Sequence, residues 1–199
     1  MRNIVVSEFL SLDGVMQAPG GAEEDTEGGF AYGGWTGPYW HDDMGAHFFQ
    51  VMNESDAMLL GRKTWQGHGA AFEPMPEGDP FGDVMNAIPK YVVSTTLADA
   101  SAWRNSTLIA DDVVEQVRAL KAQPGKDILI DGSSVLVHTL AQHDLVDEYS
   151  LLVFPLVLGG GKRLFPDGLR ANLRLVETRS FPTGVVLMRY AVERPAAGG

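Results

Sequence analysis

Cysteine is absent from the 199 residues. That excludes a disulfide framework, a thiolate nucleophile, an iron–sulfur cluster and a cysteine-based zinc site. Positive charge is scarce: 15 Lys plus Arg stand against 26 Asp plus Glu, a formal net charge of −11. Non-specific binding to nucleic acid or to an anionic membrane needs positive potential, so neither is an expected partner. An anionic small molecule is still admissible where the few basic residues gather. No apolar run approaches the ~20 residues that span a bilayer. Glu8 also interrupts the N-terminal apolar run too early for a signal-peptide core. A soluble, cytoplasmic protein is expected. No internal repeat or linker divides the chain, so residues 1–194 are expected to form one domain, with 195–199 a frayed tail.

Short β-branched runs alternate with helix-period stretches, the pattern of an α/β sheet protein. Strands are predicted at Ile4–Phe9, Ala57–Leu60, Tyr91–Val93, Ile128–Ile130 and Tyr149–Phe154. Leu173–Phe181 and Val185–Val192 flank Pro182-Thr183-Gly184 and read as a C-terminal hairpin. One helix shows the apolar stripe Met44, Phe48, Val51 and Met52. A second, through Val114, Val117 and Leu120, has Asp112 and Glu115 spaced as a capping box. A third carries Leu136, Val137 and Leu140 behind a serine cap. The Gly-rich stretch from Ser11 to Trp40, with Glu23, Glu24, Asp25 and Glu27 at a solvated tip, is expected to be a long loop, as is Gly67–Gly82.

Two strand-to-helix junctions can receive an anion, because N–H groups at a helix N-terminus carry partial positive charge. Gly61-Arg62-Lys63-Thr64 offers amides, two cations and a hydroxyl; Gly132-Ser133-Ser134 offers close backbone approach and two hydroxyls. Taken singly, each reads more readily as an ordinary cap and turn. Standard nucleotide signatures fail. Gly161-Lys162 is followed by Arg163 rather than Ser or Thr, and Leu164 stands where a dinucleotide fingerprint needs Gly or Ala. No Gly-x-Ser-x-Gly elbow supports a hydrolase. His41 and His47 are off the spacing of two helical ligands, and His68, His138 and His143 lack an evident partner, so no metal site is expected. Phe30, Tyr32, Trp35, Tyr39 and Trp40 suit either a lid over a flat heterocycle or a dimer contact.

Taken in order, several motifs make the sequence similar to the dihydrofolate reductase superfamily, and within it to the reductase domain of bacterial riboflavin biosynthesis. They are Ser11-Leu12-Asp13-Gly14, Gly61-Arg62-Lys63-Thr64-Trp65, Val92-Val93-Ser94-Thr95 and Ile130-Asp131-Gly132-Ser133, then Leu145 to Tyr149, Pro155, Gly159 to Gly161 and Leu164-Phe165. The resemblance implies a three-layer α/β/α fold with a mixed, mostly parallel central sheet and a C-terminal β-hairpin. It implies NADPH across the carboxyl ends of the strands. Gly14, Gly61, Lys63 and Thr64 would be at the cofactor, with Gly132, Ser133 and Ser134 as a second anion site. Arg62, Ser94 and Thr95 would surround the 2′-phosphate, a guanidinium-and-hydroxyl set that suits a phosphate dianion.

On the substrate side, the acid that true dihydrofolate reductases carry on the first long helix falls near Met44 or Gly45, neither of which ionises. Asp42 and Asp43 read as that helix's N-terminus. Asp13 and Asp131 are instead the catalytic candidates, framing the substrate, with Trp40, Phe48 and Phe49 lining its pocket. The implied reaction is hydride transfer to a carbonyl or imine of a small heterocyclic or ribosylamino-pyrimidine-like substrate, similar to 5-amino-6-(5-phosphoribosylamino)uracil reductase. The alternatives are a non-catalytic NADPH- or ligand-binding protein on the same fold, or a dihydrofolate or pterin reductase. A homodimer is expected from the resemblance.

Overall fold

The structure, a computed structural model, describes residues 1–194; the tail expected at 195–199 lies outside the described residues. An eight-stranded sheet runs in the order β4-β3-β2-β5-β1-β6-β8-β7. Its strands are β1 (Ile4–Ser11), β2 (Ser55–Gly61), β3 (Lys90–Val93), β4 (Ser106–Ile109), β5 (Asp127–Asp131), β6 (Glu148–Phe154), β7 (Asn172–Ser180) and β8 (Val186–Glu193). The pairings from β4 to β6 are parallel, and those of β6 with β8 and β8 with β7 are antiparallel. The helices are α1 (Asp42–Glu54), α2 (Arg62–Phe72), α3 (Pro80–Ala87), α4 (Val113–Ala122) and α5 (Ser134–Gln142). This is the three-layer architecture with the C-terminal hairpin that the resemblance implied.

The strand pleat decides which side chains meet which layer. Ile4, Val6 and Leu10 of β1 pack with Ile128 and Ile130 of β5 against Val117 and Leu120 of α4 and Leu136, Val137 and Leu140 of α5. On the opposite face Met58, Leu60 and Leu129 meet Val51 and Met52 of α1, Trp65 of α2 and Met85 of α3. Burying each large apolar side chain contributes roughly 1.5–3 kcal/mol, which fixes the register of the central strands.

Several local expectations are corrected. Gly67–Gly82 is not one loop: α2 continues through Gly67 and Gly69 to Phe72, and α3 starts at Pro80. Asp79 caps α3 by accepting from the Phe81 and Gly82 N–H groups. Asp112 precedes α4 in the left-handed region (φ 41°), and its side chain makes no cap bond. Ser133, before α5, has φ 63° and likewise makes no cap bond, because its hydroxyl serves another strand's end. Asp42 and Asp43 do open α1, with His41 Nδ1 accepting from the Asp43 N–H.

Three of the five loop aromatics pack inside the chain. Phe30 and Trp35 are buried with Phe154 in a third core cluster, and Tyr39 packs against it. Tyr32 and Trp40 remain exposed. No helix among the described residues is long and apolar enough to cross a membrane.

Candidate active site

The parallel strands end together, so the turns that follow β1, β2, β3 and β5 gather at one edge of the sheet. Gly61 pairs with Val93, and Ser7 pairs with Asp131. Arg62 and Ser94 therefore leave neighbouring strand ends, and the two anion-receiving junctions lie side by side. They are also bonded to each other. The Gly61 N–H donates to Ser133 Oγ at 2.9 Å, and the Ser133 N–H donates to Thr64 Oγ1 at 3.0 Å. A Cβ on Gly132 (φ +65°) would stand 3.0 Å from Thr64 Cγ2 and Oγ1, a tight contact in a backbone conformation that favours glycine.

The interlock changes the roles expected of these groups. The Gly61 and Ser133 amides are spent inside the protein and do not face a ligand. What remains is the first turn of α2 and of α5, whose leading N–H groups have no intrahelical acceptor. The α2 turn carries Arg62 and Lys63 and no acidic residue. Cations at a helix N-terminus are unfavourable by about 0.3–1 kcal/mol each against the helix dipole, so the dipole does not account for Arg62 and Lys63 there. Ser94 Oγ accepts from the Thr96 and Leu97 N–H groups, which shapes the turn after β3 and leaves Thr95 exposed beside it. Arg62 is held at its far end by Gln66 Oε1 at 3.0 Å.

Asp13 takes a different part from the one expected. Its carboxylate accepts from Ser11 Oγ and from the Leu158 and Gly159 N–H groups, joining the β1 turn to the glycine loop after β6. The Ser11 hydroxyl, with help from those amides, lowers its pKa to about 2. A carboxylate so held is a clamp and a poor proton donor. Gly14 (φ +82°) sits in the same turn, its N–H donating to the Ser11 carbonyl at 2.9 Å.

Asp131, at the end of β5, is partly exposed, and it has a partner that sequence reasoning missed. His68 Nε2 lies 3.1 Å from Asp131 Oδ2. Burial pulls the His68 pKa down, but the Asp131 hydrogen bond and charge, with Glu24 adding, raise it on balance. His68 falls one helical turn after Thr64, which places it over the β5 end. The second missed residue is Glu8, an acid at an inward position of β1. It is 5% exposed, and its Oε1 has no hydrogen-bond partner. Burial above all, then the Asp131 charge, pushes its pKa well up, only partly offset by the Gly132 N–H.

Aromatic side chains gather beside α1. Trp40 meets Phe9 edge-on at 6.4 Å, and Phe48 and Phe49 both pack on Phe81 at 5.5 and 4.7 Å. Gly45 lies between these groups, with Trp40 and Phe81 about 4 Å from where its Cβ would be. Met44 is buried in the core, so no carboxylate replaces the helix acid. His47 instead sits over β6, its Nε2 3.4 Å from Ser150 Oγ and its Nδ1 buried without a partner.

The site is thus a pair of helix N-termini and an acid–histidine pair at the carboxyl edge of a mostly parallel α/β sheet. The chain belongs to the family of the RibD C-terminal domain, which matches residues 2–187. It is 33% identical over 193 residues to the uncharacterized protein YyaP of Bacillus subtilis (strain 168), covering 95% of this chain and 94% of that one. Among solved structures, it is similar to a pyrimidine reductase-like protein from Corynebacterium diphtheriae, with TM-score 0.67, 15% identity, and 98% and 93% of the two chains covered. It is similar also to dihydrofolate reductase from Enterococcus faecalis, a structure complexed with NADP(H), with TM-score 0.61, 16% identity, and 96% and 97% covered. At these identities the structural likenesses show the fold; the family membership supports an oxidoreductase of the reductase type.

Proposed function

We propose that the protein is an NADPH-dependent reductase that delivers hydride to a carbonyl or imine carbon of a small heterocyclic or ribosylamino-pyrimidine-like substrate. One observation carries this reading: the interlocked turns at Gly61–Thr64 and Gly132–Ser134 present two helix N-termini with Lys63 and Arg62 beside them. That donor set fits a dinucleotide, since the two helix ends suit a diphosphate and the Arg62 fork with Ser94 and Thr95 suits a 2′-phosphate. Gly132 keeps the backbone low where a Cβ would fill the crossing.

When bound, the cofactor supplies a hydride from its dihydronicotinamide ring. The chain's own residues then have three tasks. The α2 and α5 turns would hold the phosphates and so orient the cofactor. Trp40, Phe48 and Phe49 offer aromatic surface against a flat substrate and keep water from it. Asp131 and His68 hold a proton between Nε2 and Oδ2 that can pass to the substrate heteroatom as the carbon is reduced, and water restores it afterwards.

A pterin substrate is disfavoured, because Met44 and Gly45 provide no acid on α1. The experiment is NADPH oxidation, followed by nicotinamide absorbance, with ribosylamino-pyrimidines, pterins and simple carbonyl compounds. Turnover that falls at least tenfold in both Asp131→Asn and His68→Gln supports the reading. Tight NADPH binding without turnover on any compound would favour a non-catalytic binding protein.

A further inference from the structure

Residues 19–29 form an acidic strap hung between anchored ends. Val15, Met16, Gln17 and Ala18 are buried on one side and Phe30 and Trp35 on the other, whereas the residues between are exposed or half-buried. The strap reaches the α2 turn. Lys63 Nζ donates to Glu27 Oε2 at 2.7 Å, and Lys162 Nζ donates to the same oxygen at 2.5 Å. Lys162 also pairs with Asp25 Oδ2 at 2.5 Å. Gln17 Nε2 holds the Asp25 and Glu27 carbonyls. Gly28 and Gly29 follow with φ of 72° and 77°, conformations open to glycine and available as a hinge.

Of the two cations in the first turn of α2, Lys63 is therefore already neutralised by a carboxylate of the same chain. We propose that Glu27 is a built-in stand-in for the cofactor's diphosphate, occupying Lys63 in the free protein and yielding it when the anionic ligand binds. The strap is then an autoinhibitory contact that the ligand releases. The nature of the ligand rests on the reductase reading above; the contact itself does not.

Charge makes the exchange necessary. In a protein of net charge −11, a diphosphate at the α2 turn would share Lys63 with Glu27 and stand close to Asp25, two carboxylates of like sign. The Lys63–Glu27 pair is exposed on both sides, so opening it is cheap. Asp25 stays with Lys162 when Glu27 leaves, so the strap remains tethered at one point. Lys162 and Lys63 hold the Glu27 pKa near about 2, so the carboxylate is a full competing anion at neutral pH.

The test titrates the wild type and Glu27→Gln with NADPH at low and high salt, and follows hydrogen exchange of the 19–29 amides with NADPH and with inorganic pyrophosphate. Glu27→Gln is expected to bind NADPH about 2–5-fold more tightly at low salt, the fold-change that corresponds to an exposed ion pair. The difference should vanish near ~1 M salt, where the screening length is ~3 Å. Saturating pyrophosphate should speed exchange in the wild-type strap. Equal or weaker NADPH affinity in Glu27→Gln overturns the proposal, and so does strap exchange that pyrophosphate leaves unchanged. If NADPH binds neither form while pyrophosphate still frees the strap, the strap stands and the nucleotide reading falls.

Discussion

Thr64 and Ser133, 69 residues apart, join the two helix N-termini: the Ser133 N–H donates to Thr64 Oγ1 at 3.0 Å. The hydroxyl of Ser133 returns the contact by accepting from the Gly61 N–H. Two turns that are each commonplace in α/β proteins thereby become one rigid platform. Thr64→Val, nearly isosteric, should leave the Ser133 amide without its acceptor and cost about 1–2 kcal/mol in denaturant unfolding. The same variant should weaken NADPH binding, since the α5 turn loses its fixed position.

Asp131 orients and charges His68. Asp131→Asn should lower the His68 pKa, read by NMR titration, because the hydrogen bond and charge that raise it are both reduced. In the wild type the raised folded pKa means that this pair's contribution to stability is full below about 6.5 and is lost as pH rises through the folded value. A His68 pKa unchanged in Asp131→Asn would contradict the pairing.

Glu8 gives the opposite test of burial. Its folded pKa is raised, so above about 4.5 the folded state binds more protons at this site than the unfolded chain does. Stability is lost as pH climbs toward the folded value. Glu8→Gln removes that titration while keeping the shape. The variant should gain on the wild type as pH rises above about 4.5, measured by unfolding midpoints.

Asp13 is expected to matter for loop order more than for chemistry. Asp13→Asn weakens three accepted hydrogen bonds and should cost about 1 kcal/mol, with faster exchange at the Leu158 and Gly159 amides. With its folded pKa lowered to about 2, the clamp's contribution is present above about 3.9 and lost as pH falls through about 2. Asp13→Ala abolishing turnover with the loop unchanged would return Asp13 to the catalytic role.

The sheet was legible because its central strands are near-continuous apolar runs, as Ile128–Ile130 shows, and the α2 junction because its cations and glycine are adjacent in sequence. The rest was hidden for physical reasons. Gly67 and Gly69 read as helix breakers, yet a Cβ on Gly69 would meet Trp103 at 3.3 Å, so that glycine is there for packing. Ending the helix early hid His68, four residues after Thr64 on the same face. Asp79-Pro80 was a readable cap for α3 but lay within a Pro- and Gly-rich stretch. β4 escaped because Ser106–Ile109 is a short, half-polar edge strand. Glu8 could have been found from pleat alone, as the one acid among inward positions 4, 6, 8 and 10.

The central claim, a dinucleotide site that selects the 2′-phosphate, is tested most directly by titrating the protein with NADPH and NADH through nicotinamide fluorescence, with Arg62→Ala alongside. NADPH should bind more tightly than NADH by about tenfold or more, the worth of a charge-assisted phosphate contact, and the preference should disappear in Arg62→Ala. Equal binding of the two nucleotides, or a preference that survives Arg62→Ala, would contradict the assignment of Arg62, and binding of neither would remove the reductase reading itself.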